Sequence, residues 1–337
     1  MARIRKEKQL LEIVLEDYMY YCSLKDLRRQ TLKSYEQTLK LLFKYLNEEF
    51  SIIYLEDIKE ENIKSYIDFS KEKGKYSYVA DESTVNINRP DLRTDFGKKV
   101  SAGTVNSYLR NIKTFFNYCV DNDLLRESPC KRIKNIKCKR NKKEEITSEE
   151  FNRIIKVLDL TLFSEYRDYV IIQLIADTGM RLGETLALNV CDVDLKNKTI
   201  FINGEIAKGR RDRYVFFSDT MKKILQRWIN YKDRYVENEL LFVSNRNNEI
   251  INSNFEKLFK KYVKRAKIEK NITPHGLRNN FARRCLLNGM DIYMVSRILG
   301  HSDVRITQQA YMDITTEDIR KSYMKYSPLE NMKRGSK

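Results

Sequence analysis

The chain has 337 residues, enough for two compact domains that each bury a core. Lysine and arginine total 64 against 47 aspartate and glutamate, a formal net charge of +17, so its field favours polyanions: nucleic acid first, an anionic membrane surface second, a merely solvated basic surface as the plain alternative. No run of roughly eighteen apolar residues occurs and the N-terminus turns charged too soon for a signal peptide, which argues against a helical membrane protein and a secreted one. The six cysteines are scattered, without a C-x-x-C pair or metal-ligand spacing, so we expect reduced thiols in a cytoplasmic protein. Four prolines and eleven glycines point to a mostly helical chain.

Apolar residues at helical spacing predict a first helix from Glu7 to about Tyr21 and a second through Leu32, Tyr35, Leu39, Phe43 and Leu46, with Thr31 as a candidate cap. A third helix is predicted over Leu55 to Phe69. A polar segment at about 71–99 reads as a loop or insertion, and a fourth helix spans Ser101 to about Val120. Together they make a helical domain over about 1–137. A basic linker, 131–146, follows, with Lys131, Arg132, Lys134, Lys137, Lys139 and Arg140 placed to lie along a phosphate backbone, or simply solvated.

A second domain, 147–323, opens on Thr147 and Glu150 at capping-box spacing. Tyr169 to Ala176 reads as a buried helix ending in Asp177-Thr178-Gly179-Met180-Arg181, and a short helix covers Leu182 to Leu188. The period then changes to that of two strands between Lys198 and Phe217, around a Lys208-Gly209 turn. Further helices are predicted over Asp219–Tyr231, Ser253–Ala266, Pro274–Leu287, Ile292–Leu299 and Glu317–Tyr323, followed by a flexible tail, 324–337. The fold class is mainly α with a small β-hairpin.

Both histidines of the chain, His275 and His301, fall between Pro274 and Tyr311, with Arg278 one helical turn after the first and Tyr311 ten residues after the second. Side-chain attack on a phosphodiester needs a nucleophile, stabilisation of the pentavalent phosphorus and a proton for the leaving oxygen. Two guanidinium forks, Arg181 and Arg278, can clamp the non-bridging oxygens without a metal. A tyrosine with a reference pKa of about 10 is roughly one part in a thousand phenolate at neutral pH, so it needs nearby cations or a base. Lys208 on the turn is placed to act as general acid. Singly, each of these residues is more simply a surface charge or a packing residue; the joint arrangement carries the reading.

These residues resemble the tyrosine recombinase family, the integrases of the phage lambda type. The segment DTGMRLGETLALNVCDVDL is similar to the family's first arginine box and implies Arg181 with a supporting Glu184. IAKGRRDRYVFF implies the hairpin lysine Lys208, HGLR implies His275 and Arg278, LGHSD implies His301, and Tyr311 takes the place of the nucleophile. The resemblance implies a helical core-binding domain and a mixed α+β catalytic domain that clamp duplex DNA. It also implies strand exchange without a metal or cofactor, through a 3′-phosphotyrosyl intermediate and a Holliday junction, by a homotetramer on paired sites, with the C-terminal segment docking in trans and accessory DNA-bending or directionality factors. Integration, excision and transposition of a mobile element are the expected uses. The chain departs from the pattern at Asn279 and Asn280, after HGLR, and in the insertion at 71–99.

Overall fold

The computed structural model describes residues 8–74, 76–80, 89, 92–138, 145–205 and 211–311, together with 320, 323, 327 and 329; at 306 and 309–311 it describes the backbone alone. The chain divides into two compact units, Met1–Arg140 and Asn141–Lys337. The predicted helix at Glu317–Tyr323 and the tail at 324–337 lie, but for those single positions, outside the described residues. Among the described residues no helix is long and apolar enough to cross a membrane.

In the first unit α1 (Leu11–Leu24), α2 (Arg29–Phe50), α3 (Glu60–Lys73) and α4 (Ala102–Asp121) pack around one core. Of the apolar positions that predicted these helices, Val14, Leu39, Leu46, Ile112, Phe115 and Phe116 are buried in it, and Leu42 and Ile63 join them. Each such side chain contributes about 1.5–3 kcal/mol on burial. Three expectations need correction. The third helix starts at Glu60 rather than Leu55, because Leu55–Asp57 form a separate 3-10 turn ahead of it. The first helix starts at Leu11 rather than Glu7, because Leu10 is drawn into an isolated antiparallel bridge with Tyr54. Thr31 is no cap: α2 begins two residues earlier, with Arg28 at the N-cap and the Thr31 amide donating to the Arg28 carbonyl. Ser101 does cap α4, its hydroxyl accepting from the Thr104 amide at 3.2 Å.

The start of the predicted linker belongs to the first unit. Cys130 and Ile133 are buried in its core, and the Asn106 side chain on α4 exchanges two hydrogen bonds with the Ile136 backbone, at 2.8 and 2.9 Å. Lys131, Arg132, Lys134 and Lys137 stay exposed, whereas Lys139 and Arg140 lie outside the described residues. Within the expected insertion, α3 runs on to Lys73, Tyr78 packs against Tyr45 and Phe69, and Arg93 sits over the Tyr76 ring at 4.3 Å.

The second unit begins with the expected capping box, Thr147 and Glu150, at the head of α5 (Ser148–Lys156). Its core gathers α6 (Phe163–Thr178), α8 (Asp219–Lys232), α9 (Asn252–Arg265) and a sheet around the fully buried Trp228, whose indole N–H donates to the Leu241 carbonyl at 2.8 Å. The sheet has three antiparallel strands rather than the two expected, in the order β1 (Val193–Asp194), β2 (Thr199–Ile202), β3 (Arg213–Phe216). A two-residue strand shows no alternation for a sequence reading to find. In β2 and β3 the buried Ile200, Ile202 and Val215 face the core. The turn between them, including Lys208, lies outside the described residues.

Helix α6 starts six residues before the apolar run that predicted it. Its first turns bury Arg167 and Asp168, with the Arg167 fork on Asp168 and the Tyr262 hydroxyl donating to Asp168 Oδ2 at 2.7 Å. Burial pushes the Asp168 carboxyl up, and Arg167 and Tyr262 oppose that shift.

Candidate active site

Four elements deliver the site: the C-terminus of α6, the short α7 (Leu182–Leu186), α10 (Pro274–Leu287) and α11 (Ile292–Leu299), which leads into α12 (Val304–Tyr311). Helix α10 packs along α6, which brings Arg278 beside Gly179. Thr273 caps α10 through the Gly276 amide and Pro274 occupies the first turn, where its missing N–H costs nothing. Asp291 caps α11 by accepting from the Tyr293 and Met294 amides.

Gly179 and Gly300 end α6 and α11 in the left-handed conformation, with φ of 68° and 64°. Gly179 turns the chain where Phe281 and Leu299 pack against it, and Gly300 turns it where the Arg213 guanidinium passes. A Cβ on Gly300 would come within 2.9 Å of the Arg213 Cδ and Nε atoms.

The C-terminus of α11 organises the cluster. Three successive carbonyls, on Ile298, Leu299 and Gly300, each accept from a different guanidinium: Arg213 at 3.2 Å, Arg278 at 2.7 Å and Arg181 at 3.1 Å. Such carbonyls lack intrahelical partners and carry the negative end of the helix dipole, so cations there are favoured. Arg278 also donates to the Gly179 carbonyl at 2.8 Å, and it is only 3% exposed. Among the described residues its hydrogen bonds run to backbone carbonyls and not to a carboxylate. Burial, then the nearby Arg181 guanidinium, pulls its pKa down to about 9, which leaves it cationic at neutral pH.

Glu184 is the counter-ion. It is 3% exposed and accepts from the Arg181 amide at 3.0 Å, from Arg181 Nη1 at 2.8 Å, and from Arg213 Nη1 and Nη2 at 3.2 and 2.6 Å. Burial alone would raise its carboxyl, but the bonds and charge of Arg213, then Arg181, hold it below the ordinary glutamate range.

His301 donates or accepts through Nδ1 with the buried Thr307 hydroxyl at 2.8 Å, which ties the ring to the helix that ends in Tyr311. Burial, then Arg278, Arg181, His275 and Arg213, depress its pKa to about 4, so the imidazole is neutral at pH 7. That preference stabilises the fold above about pH 6.5 and is lost as pH falls through about 4. We expect the ring resonances of His301, assigned with a His275→Gln variant, to titrate near pH 4; a midpoint above 6 would place the ring outside the cationic cluster.

Thus Arg181, Glu184, Arg278 and His301 converge, with exposed His275 close enough to act on the His301 charge. Tyr311 closes α12, its backbone described and its side chain not. Sequence reasoning missed Arg213 and Thr307. Asn280, noted as a departure, has its side-chain oxygen buried with no hydrogen-bond partner among the described residues.

A helical unit is followed by an α+β unit that gathers three arginines on one helix terminus, a cationic cluster of the kind that suits an anion. Residues 144–318 match the model of the phage integrase family, and residues 13–137 match the phage integrase SAM-like domain. The chain belongs to the phage integrase family, the tyrosine recombinases, and is an enzyme that breaks and rejoins DNA.

It is 26% identical to tyrosine recombinase XerD of Oceanobacillus iheyensis over 325 residues, covering 95% of this chain and 99% of that one. To tyrosine recombinase XerC of Bacillus subtilis it is 24% identical over 308 residues, covering 88% and 98%. Among solved structures, the integrase of transposon Tn1549 in complex with a circular intermediate DNA shares the fold at a TM-score of 0.70 and 16% identity, covering 94% of this chain and 99% of that one. A lambda integrase dimer bound to a core site does so at 0.65 and 15%, covering 90% and 77%.

Proposed function

We propose that the protein is a site-specific recombinase that cuts duplex DNA with Tyr311, holds it as a 3′-phosphotyrosyl ester, and exchanges strands through a Holliday junction to integrate, excise or transpose a mobile element. The observation that carries this reading is the buried Arg278, a cation that two carbonyls hold and whose remaining N–H groups have no hydrogen-bond partner among the described residues and are left for an anion. Arg181 and Arg278 clamp the non-bridging oxygens of the scissile phosphate, where their fixed charge stabilises the pentavalent transition state. Neutral His301 and His275 donate to the same oxygens or move the tyrosine proton, and Lys208 protonates the departing 5′ oxygen. The released 5′ hydroxyl then attacks the phosphotyrosyl ester on the partner duplex, forming the new phosphodiester and releasing that tyrosine, so one phosphoester replaces another and the bond energy is conserved.

Duplex DNA is the partner. The net charge of +17 and the exposed Lys131, Arg132, Lys134 and Lys137, continuing into Lys139 and Arg140, support backbone contacts whose affinity falls with salt. The solved relatives bound to a core site and to circular intermediate DNA support the same reading. A homotetramer on two paired sites, with the segment after Tyr311 docked on a neighbour, completes the assembly.

The test is a labelled, nicked duplex drawn from the sequences flanking the gene. The wild-type protein traps as a covalent adduct on it, and two intact sites yield four-way junctions. Relaxation of supercoiled plasmid by monomer without junctions would replace this reading with a nicking and closing enzyme. Binding without any adduct would replace it with a DNA-binding factor.

A further inference from the structure

We propose that Arg213 is a positioning residue of the cleavage site: by gripping Glu184 and the C-terminus of α11 together, it sets the Arg181 guanidinium against the scissile phosphate. This rests on the phosphate-clamping role given to Arg181 and Arg278 above.

Arg213 is the first residue of β3, its side chain 10% exposed and directed to the same face as the buried Val215. Its three hydrogen bonds engage all three guanidinium nitrogens: Nη1 and Nη2 span the two oxygens of Glu184, and Nε reaches the Ile298 carbonyl. Glu184 in turn accepts four donors, two from Arg213 and two from Arg181, which fills the roughly four lone-pair sites of a carboxylate.

This arithmetic decides what Arg181 can do. A buried carboxylate with one arginine for company draws that arginine into a bidentate pair. Arg213 satisfies both oxygens, so Arg181 gives the carboxylate a single side-chain N–H and spends another on Gly300, leaving the rest for substrate. Without Arg213, Glu184 and a phosphate would compete for the same fork.

The backbone is shaped around this side chain. Gly300 carries φ of 64° and has no room for a Cβ because Arg213 passes against it. Arg213 also stands five residues after Lys208 in sequence, so the strand that leaves the lysine turn is anchored to the arginine cluster.

Arg213→Lys keeps the charge and loses the fork, so it separates geometry from electrostatics. On the nicked duplex at saturating protein, we expect the single-turnover rate of adduct formation to fall by about 10- to 100-fold, the size of a misplacement near 1 Å. Duplex affinity should stay within about twofold, since the residue donates to protein alone. Arg213→Lys combined with Glu184→Gln should be no slower than the slower single variant, because both break one pair. Gly300→Ala, which displaces Arg213 without touching a charge, should slow cleavage similarly, and it decides the matter if Arg213→Lys does not fold.

Three outcomes overturn the proposal. One is wild-type cleavage by Arg213→Lys; another is a double variant as slow as the product of the singles. The third is a lowered melting temperature with an unchanged adduct rate below the transition, which would make the pair structural. Arg181→Ala on the same substrate is the control. If it still cleaves, the clamping role fails and the role of Arg213 with it; if it is dead while Arg213→Lys is intact, only Arg213 is misassigned.

Discussion

Tyr311→Phe should form no covalent adduct with cleavable duplex, a loss of at least about 10⁴-fold, and should bind the same duplex as tightly as the wild type. The substitution removes one oxygen atom and no charge that faces phosphate at neutral pH, so the counterion release that drives binding is untouched. What it removes is the only group at this position able to form a phosphoester. The position itself is tied to the site through its own helix: Thr307, one turn earlier on α12, holds His301, which lies in the field of Arg278 and Arg181. A denaturing gel reads the adduct and a mobility shift reads binding. An adduct that persists in Tyr311→Phe would send the search to the other tyrosines of the chain, by mapping the DNA-linked peptide.

Much of this site was legible because its parts are local signals. HGLR sits on one helix with Thr273 and Pro274 announcing its start, and LGH and DTGMR each contain the glycine whose positive φ ends a helix. Those signals, with the resemblance to the tyrosine recombinases supplying Glu184, located Arg181, Glu184, Arg278 and His301, and the structure brings them together. The helices were legible for the same reason, since a 3.6-residue period survives in the chain whatever it packs against.

What stayed hidden is pairing between distant residues. Arg213 is one of 64 lysines and arginines, and its partner Glu184 lies 29 positions away, so no local pattern sets it apart. The carbonyls that receive the three arginines are backbone atoms and have no sequence signature. Tyr262 meets Asp168 across 94 positions, which let a charged first turn pass for the outside of a buried helix. Strand β1 exists only because β2 offers it an edge, and its two residues carry no pattern alone.

Arg278→Met should abolish cleavage, by at least about 10³-fold, and leave the melting temperature unchanged or a few degrees higher. In the folded protein this guanidinium has its pKa drawn down to about 9, and the sign follows. A base depressed in this way favours the neutral form, so the stability from that preference exists only above the ordinary arginine range and has gone by pH 7, where Arg278 is charged. Holding it there costs the fold on the order of several kcal/mol. Methionine of similar length removes that cost and strands the Gly179 and Leu299 carbonyls, at about 1–3 kcal/mol each. The two contributions nearly cancel, and at about 2–4 °C per kcal/mol for a domain of this size the melt barely moves. A thermal melt and the adduct assay on one preparation check both halves. A fall of more than about 10 °C would mean that Arg278 is kept for its carbonyl bonds. A melt that holds while cleavage vanishes means that the cation is kept, against the fold's own interest, for a phosphate.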